Sequence, residues 1–125
     1  MDKIKRREPY KLGEIISIVA DAVVANGIGK NLNYKDRDFC LYSREHKKVV
    51  TAELVFYVDD FPDITYDDEE VYPDFVVNEG LEFYCSGELL EGIIQNVLHQ
   101  KSQPSMKDFI TQLNYYMKND AFIVL

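Results

Sequence analysis

Several residue types are scarce in this sequence, and each scarcity closes off a chemistry. There is no tryptophan, and there are only two cysteines and two histidines in 125 residues. Cys40 and Cys85 stand apart, with no CxxC pair and no Cys/His cluster, so neither zinc ligation nor dithiol redox chemistry has donors at the required spacing. Both read as reduced thiols of a cytoplasmic protein. No run of 18 apolar residues occurs, so nothing reads as a membrane span. The basic start, Lys3 to Arg7, leads into an apolar stretch interrupted by Glu14 and Asp21 with no small-residue cleavage site, which makes a poor signal peptide. No G-x-S-x-G, phosphate loop or Rossmann fingerprint is present. Gly27-Ile28-Gly29-Lys30 follows a helical pattern rather than a strand, the wrong context for a phosphate cradle. The two imidazoles read as surface groups: His46 sits among Arg44, Lys47 and Lys48 in a predicted turn, and His99 closes a predicted helix, where a cation suits the dipole. The expectation is a protein without enzymatic machinery and without a cofactor.

The most informative absence is that of Lys and Arg from residues 49–100. That stretch holds 13 Asp and Glu and no Lys or Arg, whereas residues 1–48 hold 11 Lys and Arg against 7 acids. The net charge of −8 and the pI near 4.7 therefore come from the middle of the chain. Phosphate backbones and anionic membranes recruit basic faces, so this balance argues against both and favours a basic protein partner. The acids are densest between 59 and 74, where Asp59, Asp60, Asp63, Asp67, Asp68, Glu69, Glu70 and Asp74 alternate with Phe61, Ile64, Tyr66, Val71 and Tyr72. A disordered solvating segment would be poor in aromatics.

Length and 46% hydrophobic residues suit a single domain, 1–125, with the acidic loop 59–74 inside it. Leu12, Ile15, Ile16, Val19, Ala20, Val23 and Val24 recur at helical spacing, predicting a helix from Tyr10 to Asn26 with Pro9 in its first turn and Gly27 and Gly29 beyond its end. Residues 38–43 read as a short strand. Val49 to Val58 reads as the strongest one, with the apolar run Leu54–Val58 central and covered on both faces. Leu81, Phe83 and Cys85 alternate with Glu82 and Tyr84, predicting a strand with one wet face. Ser86 is a plausible N-cap for a helix striped by Leu89, Leu90, Ile93, Ile94, Val97 and Leu98. Ser105 and Asp108 form a capping-box pattern ahead of Met106, Phe109, Ile110, Leu113 and Met117. Residues 121–125 look like a terminal strand. The predicted order is α-β-β-loop-β-α-α-β, an α+β fold with about three helices flanking a small central sheet.

Three readings of the acidic loop compete. A calcium loop needs acids at positions 1, 3 and 5, Gly at 6 and Glu at 12, and 59–74 contains no Gly, so a small carboxylate-rich metal-binding protein is one alternative and a weak one. A DNA-mimic regulator of a host nucleic-acid-binding protein is another. The third is a docking surface, in which mutually repelling carboxylates are relieved by a basic partner and Tyr66 and Tyr72 supply anchor area.

The C-terminal run Leu113-Asn114-Tyr115-Tyr116-Met117-Lys118-Asn119-Asp120-Ala121-Phe122 resembles the ending of a family of small bacterial immunity proteins of polymorphic toxin systems, including contact-dependent growth inhibition. That ending reads roughly A-L-N-Y-Y-x-x-x-D-A-F, and Gln112 stands here in place of the Ala. The similar stretch covers Leu81 to Leu125. The resemblance implies a cytoplasmic inhibitor that binds a cognate toxin domain; with the acidic loop, that toxin is expected to be a basic nuclease. It implies a structural role for the motif, with Asn114 and Asp120 tying the helix end and Tyr115 and Tyr116 packing across the sheet. The expected contact set is Asp59, Asp60, Asp63, Tyr66, Asp67, Asp68, Glu69, Glu70, Tyr72 and Asp74, without direct binding to nucleic acid or membrane and with the oligomeric state open.

Overall fold

The structure, a computed structural model, describes residues 3–125. It is an α+β fold. The strands are β1 (Pro9–Lys11), β2 (Cys40–Ser43), β3 (Val55–Asp59), β4 (Asp63–Ile64), β5 (Glu70–Val71) and β6 (Glu82–Ser86). The helices are α1 (Leu12–Asn26), α2 (Tyr34–Arg37), α3 (Asp74–Asn78), α4 (Gly87–Gln100) and α5 (Met106–Asn119). Four strands form one antiparallel sheet in the order β1-β3-β2-β6, and β4 and β5 pair only with each other.

The apolar stripe of α1 packs on one face of this sheet with α4 and α5. Leu12, Ile15, Ile16, Val19 and Val23 are buried there against Leu41, Phe56, Val58, Cys85, Ile93, Ile94 and Leu113. The first amides of α1 are satisfied by a neighbouring turn: Leu12 and Gly13 donate to the carbonyls of Leu54 and Ala52, both at 2.9 Å. Glu14 closes the cap by accepting from the Lys11 amide at 2.9 Å. Gly27 ends the helix at φ 106°, a value that only glycine adopts without strain. On the opposite face a smaller cluster forms from Cys40, Tyr42, Val76 and Leu81, with Tyr57, Tyr72 and Phe75 packed against it.

Several expectations need correction. Pro9 lies in strand β1 rather than in a helical turn; β1 is a sheet edge, where a missing N–H is tolerated. The strand expected over 49–58 begins only at Val55, because Val50 is pinned to α5 instead: the Asn114 side chain accepts from its amide and donates to its carbonyl, each at 2.9 Å. The short helix α2, capped by the Asn33 side chain, carries too little apolar periodicity to have been predicted.

Strand β6 does not alternate as expected. Leu41 pairs with Cys85 and Tyr42 with Phe83, so Tyr84 is an extra residue in a β-bulge. The bulge turns Tyr84 and Cys85 to the same helix-covered face, where Tyr84 meets Phe56 at 5.2 Å between ring centroids. Phe83 meets Tyr42 on the other face.

Residues 121–125 form no strand. Their polar backbone is taken by side-chain amides. Ile123 donates to Gln112 at 2.9 Å, its carbonyl accepts from Gln112 at 2.8 Å and Gln100 at 3.0 Å, and Leu125 donates to Gln100 at 2.8 Å.

Both expected N-caps are present. The Ser86 hydroxyl accepts from the Leu89 amide, and Ser105 and Asp108 form the reciprocal capping box of α5. Among the described residues no helix is long and apolar enough to cross a membrane.

Candidate functional site

The acidic stretch begins where β3 ends. Its first carboxylate, Asp59, is not a surface group: the residue is 1% exposed. Oδ1 accepts from the Asp60 amide at 2.8 Å and faces the Arg7 guanidinium at 3.3 Å, while Oδ2 is buried without a hydrogen-bond partner. Asp60 pairs with Arg6 at 2.6 Å. These two acids anchor the basic N-terminal segment to the end of β3, and Asp59 leaves the contact set. Tyr72 leaves it as an anchor too. Its ring sits edge-on to Tyr42 at 6.1 Å and its hydroxyl donates to Glu70 at 2.7 Å, so it belongs to the second core.

The segment between them is a small exposed hairpin. β4 and β5 are closed by a turn in which Asp68 donates to the Thr65 carbonyl at 3.0 Å and Thr65 donates to the Glu69 carbonyl at 2.9 Å. The Thr65 hydroxyl accepts from the Glu69 amide at 3.1 Å. Asp68 takes φ 60°, a left-handed position that Asp tolerates better than most residues. Tyr66 at the turn is fully exposed, at 107%. Ile64 and Val71 are exposed on the paired strands and Phe61 just ahead of them.

Charge pairing singles out this hairpin. Seven of the acids in residues 49–100 are partnered by basic residues from the first 48: Glu53 by Lys11, Asp59 by Arg7, Asp60 by Arg6, Glu79 by Arg44, Glu82 by His46, and Glu88 and Glu91 by Arg37. The His46 contact, at 2.5 Å, is an ion pair when the imidazole is protonated. The uneven charge along the chain is thus largely an internal arrangement. What is left lies together: Asp63, Asp67, Asp68, Glu69, Glu70 and Asp74 have no cationic partner among the described residues, and all are exposed. These six belong to the hairpin and to the start of α3, which follows it.

The cysteines are not reactive groups. Burial pushes the Cys40 thiol up to about 11 and raises Cys85 as well, so both stay protonated at neutral pH. Among the described residues no three His, Cys, Asp or Glu side chains are placed to hold a metal ion.

In the C-terminal motif, Asp120 caps the helix end as expected, while Asn114 and Tyr116 act elsewhere. Asn114 ties Val50 to α5, and Asp120 is the left-handed cap residue at φ 53°. Tyr116 packs on Phe122 of the tail, at 4.9 Å, rather than across the sheet.

Residues 26–125 match a family described as a domain of unknown function, DUF7716. The chain belongs to the DUF7716 family. Neither a curated protein nor a solved structure matches it significantly. The DUF7716 match starts at the last residue of α1, so the Arg6, Arg7 and Lys11 ion pairs come from outside it, whereas the hairpin, the Arg37 and Arg44 pairs and the C-terminal amide clamps lie within it.

Proposed function

We propose that this protein is a non-enzymatic inhibitor: a cytoplasmic immunity protein that neutralises a basic toxin domain, a nuclease, through the hairpin 63–74. The observation that carries the reading is the residue left after internal charge pairing. Six exposed carboxylates without a cation, on one hairpin with Tyr66, Ile64 and Val71, form an acidic surface with apolar contact area and no counter-charge of their own. Nucleases carry basic clefts because their substrates are polyanions. Opposite potentials speed encounter, and a central aromatic supplies anchoring area on contact. Asp63, Tyr66, Asp67, Asp68, Glu69, Glu70 and Asp74 form the contact set, and Asp60 stands at its margin.

The test pairs the chain with the toxin domain encoded beside it. Cells expressing both should survive, and purified proteins should associate with a rate that falls as salt rises. Changing Asp63, Asp67 and Asp68 to Asn and Glu69 to Gln should cut the association rate roughly tenfold or more, within the 10–10³ range of electrostatic steering, and flatten its salt dependence. Equal protection and equal rates with that variant would remove the hairpin from the mechanism.

A further inference from the structure

The hairpin leaves the sheet at the end formed by Asp59, Cys40 and Ser86. At the other end, where Ser43 pairs with Glu82, the 45–50 loop and the C-terminal half of α5 border the sheet. A groove of about 1040 Å³ lies there. Phe56 and Tyr84 contribute ring surface to it, Val49 and Met117 line it with partly exposed apolar side chains, and Lys47, Lys48 and Lys118 contribute the cations. The volume is at the upper end of the range for small-molecule sites.

Three features indicate what would fill it. The β-bulge places the Tyr84 ring in the groove, and its hydroxyl is buried with no hydrogen-bond partner, so it offers an unused donor. Burial raises the Tyr84 pKa, which keeps that donor protonated. The acids of the groove are already engaged, Glu45 with Lys47 at 3.8 Å and Glu82 with His46 at 2.5 Å. Lys48 and Lys118 have no carboxylate partner among the described residues, so the groove keeps positive charge on a chain whose net charge is −8. The same bulge breaks the regular edge of β6, which disfavours a peptide adding there as a further strand.

We infer that this groove binds a small anionic amphiphile, with its apolar body along Val49, Phe56 and Met117, its carboxylate or phosphate head at Lys48 and Lys118, and an acceptor atom available to Tyr84. The ligand is a free molecule rather than a bilayer lipid, because the acidic chain as a whole is repelled by an anionic membrane surface.

The test is a ¹H–¹⁵N NMR titration of the whole chain with decanoate below its micelle concentration. Saturable shifts are expected at residues 45–50, 82–84 and 111–119. Decanol should bind more weakly, and decyltrimethylammonium should not bind. The double variant Lys48→Gln, Lys118→Gln should weaken decanoate roughly three- to tenfold, as two solvated ion pairs allow, with an otherwise unchanged spectrum. Tyr84→Phe should weaken it further while keeping the fold. The inference is overturned by shifts absent from those segments, by equal affinity for decyltrimethylammonium, by an unchanged affinity in the double variant, by tighter binding of an Asp/Glu-rich peptide, or by binding to phosphatidylglycerol vesicles in preference to decanoate.

Discussion

Gln112 is fully buried on α5 and spends both ends of its amide on Ile123, with Asn96 as a third partner at 2.9 Å. An alanine at this position would leave those backbone groups without it. Gln112→Leu keeps the bulk and removes the amide, so it should cost about 1–3 kcal/mol, the range for stranding buried polar groups. Hydrogen exchange should show the Ile123 amide losing protection before the amides of α5. Arg7 and Asp59 make a similar case. The guanidinium is half exposed and the carboxylate buried, so the pair is worth less than a fully buried one, but Arg7→Ala leaves a charge inside without its partner. A loss of about 1–3 kcal/mol is expected in urea unfolding, with partial recovery in Arg7→Lys. Neither pairing was legible beforehand. Asp59 read as one acid among eight because sequence spacing carries no information on which acid the fold turns inward.

The helices were the most legible elements, since their apolar stripes and hydroxyl caps are local signals. The cap of α5 makes its own prediction. Ser105→Ala should cost about 1 kcal/mol. Asp108 has its pKa lowered chiefly because its carboxylate accepts from the Ser105 amide, with Lys101 helping. A lowered folded pKa means that its contribution is complete above the unfolded value, ordinarily 3.8, and is lost as pH falls through the folded one. Asp108→Asn should therefore flatten the acid limb of a Tm-against-pH curve below about pH 4 while leaving its neutral limb parallel to that of the wild type. The strands were less legible, for separate reasons. In β6 the bulge puts Tyr84 and Cys85 on one face, which strict alternation forbids. Residues 121–125 have strand-forming side chains, but their backbone is bound to Gln100 and Gln112 instead of a neighbouring strand.

Over the whole molecule, the charge pattern was visible in the sequence but its meaning was not. A stretch of 52 residues without Lys or Arg reads as one large acidic face; in the fold, basic residues from the first 48 pair with seven of its acids and leave a single hairpin unpaired. Because β4 and β5 pair only with each other, that hairpin should be separable from the fold. Replacing residues 62–70 with a short Gly/Ser link should change Tm by no more than about 4 °C, equivalent to ~1 kcal/mol for a domain of this size, while abolishing capture of a basic partner. A larger fall would mean that the hairpin supports the sheet. The groove had no counterpart in the sequence, since its parts come from the 45–50 loop, β6 and α5, which are far apart along the chain and are brought together by the fold.

The position of α1 also bears on how the protein can be divided. The family match begins at Asn26, after the whole run from Leu12 to Val23 has gone into the main core. Five large aliphatic side chains at about 1.5–3 kcal/mol each amount to as much as the entire margin by which a domain of this size stays folded, about 5–15 kcal/mol. A recombinant fragment trimmed to the family boundary should therefore give a broad, collapsed NMR spectrum, because the helix that seals one side of the main core would be missing.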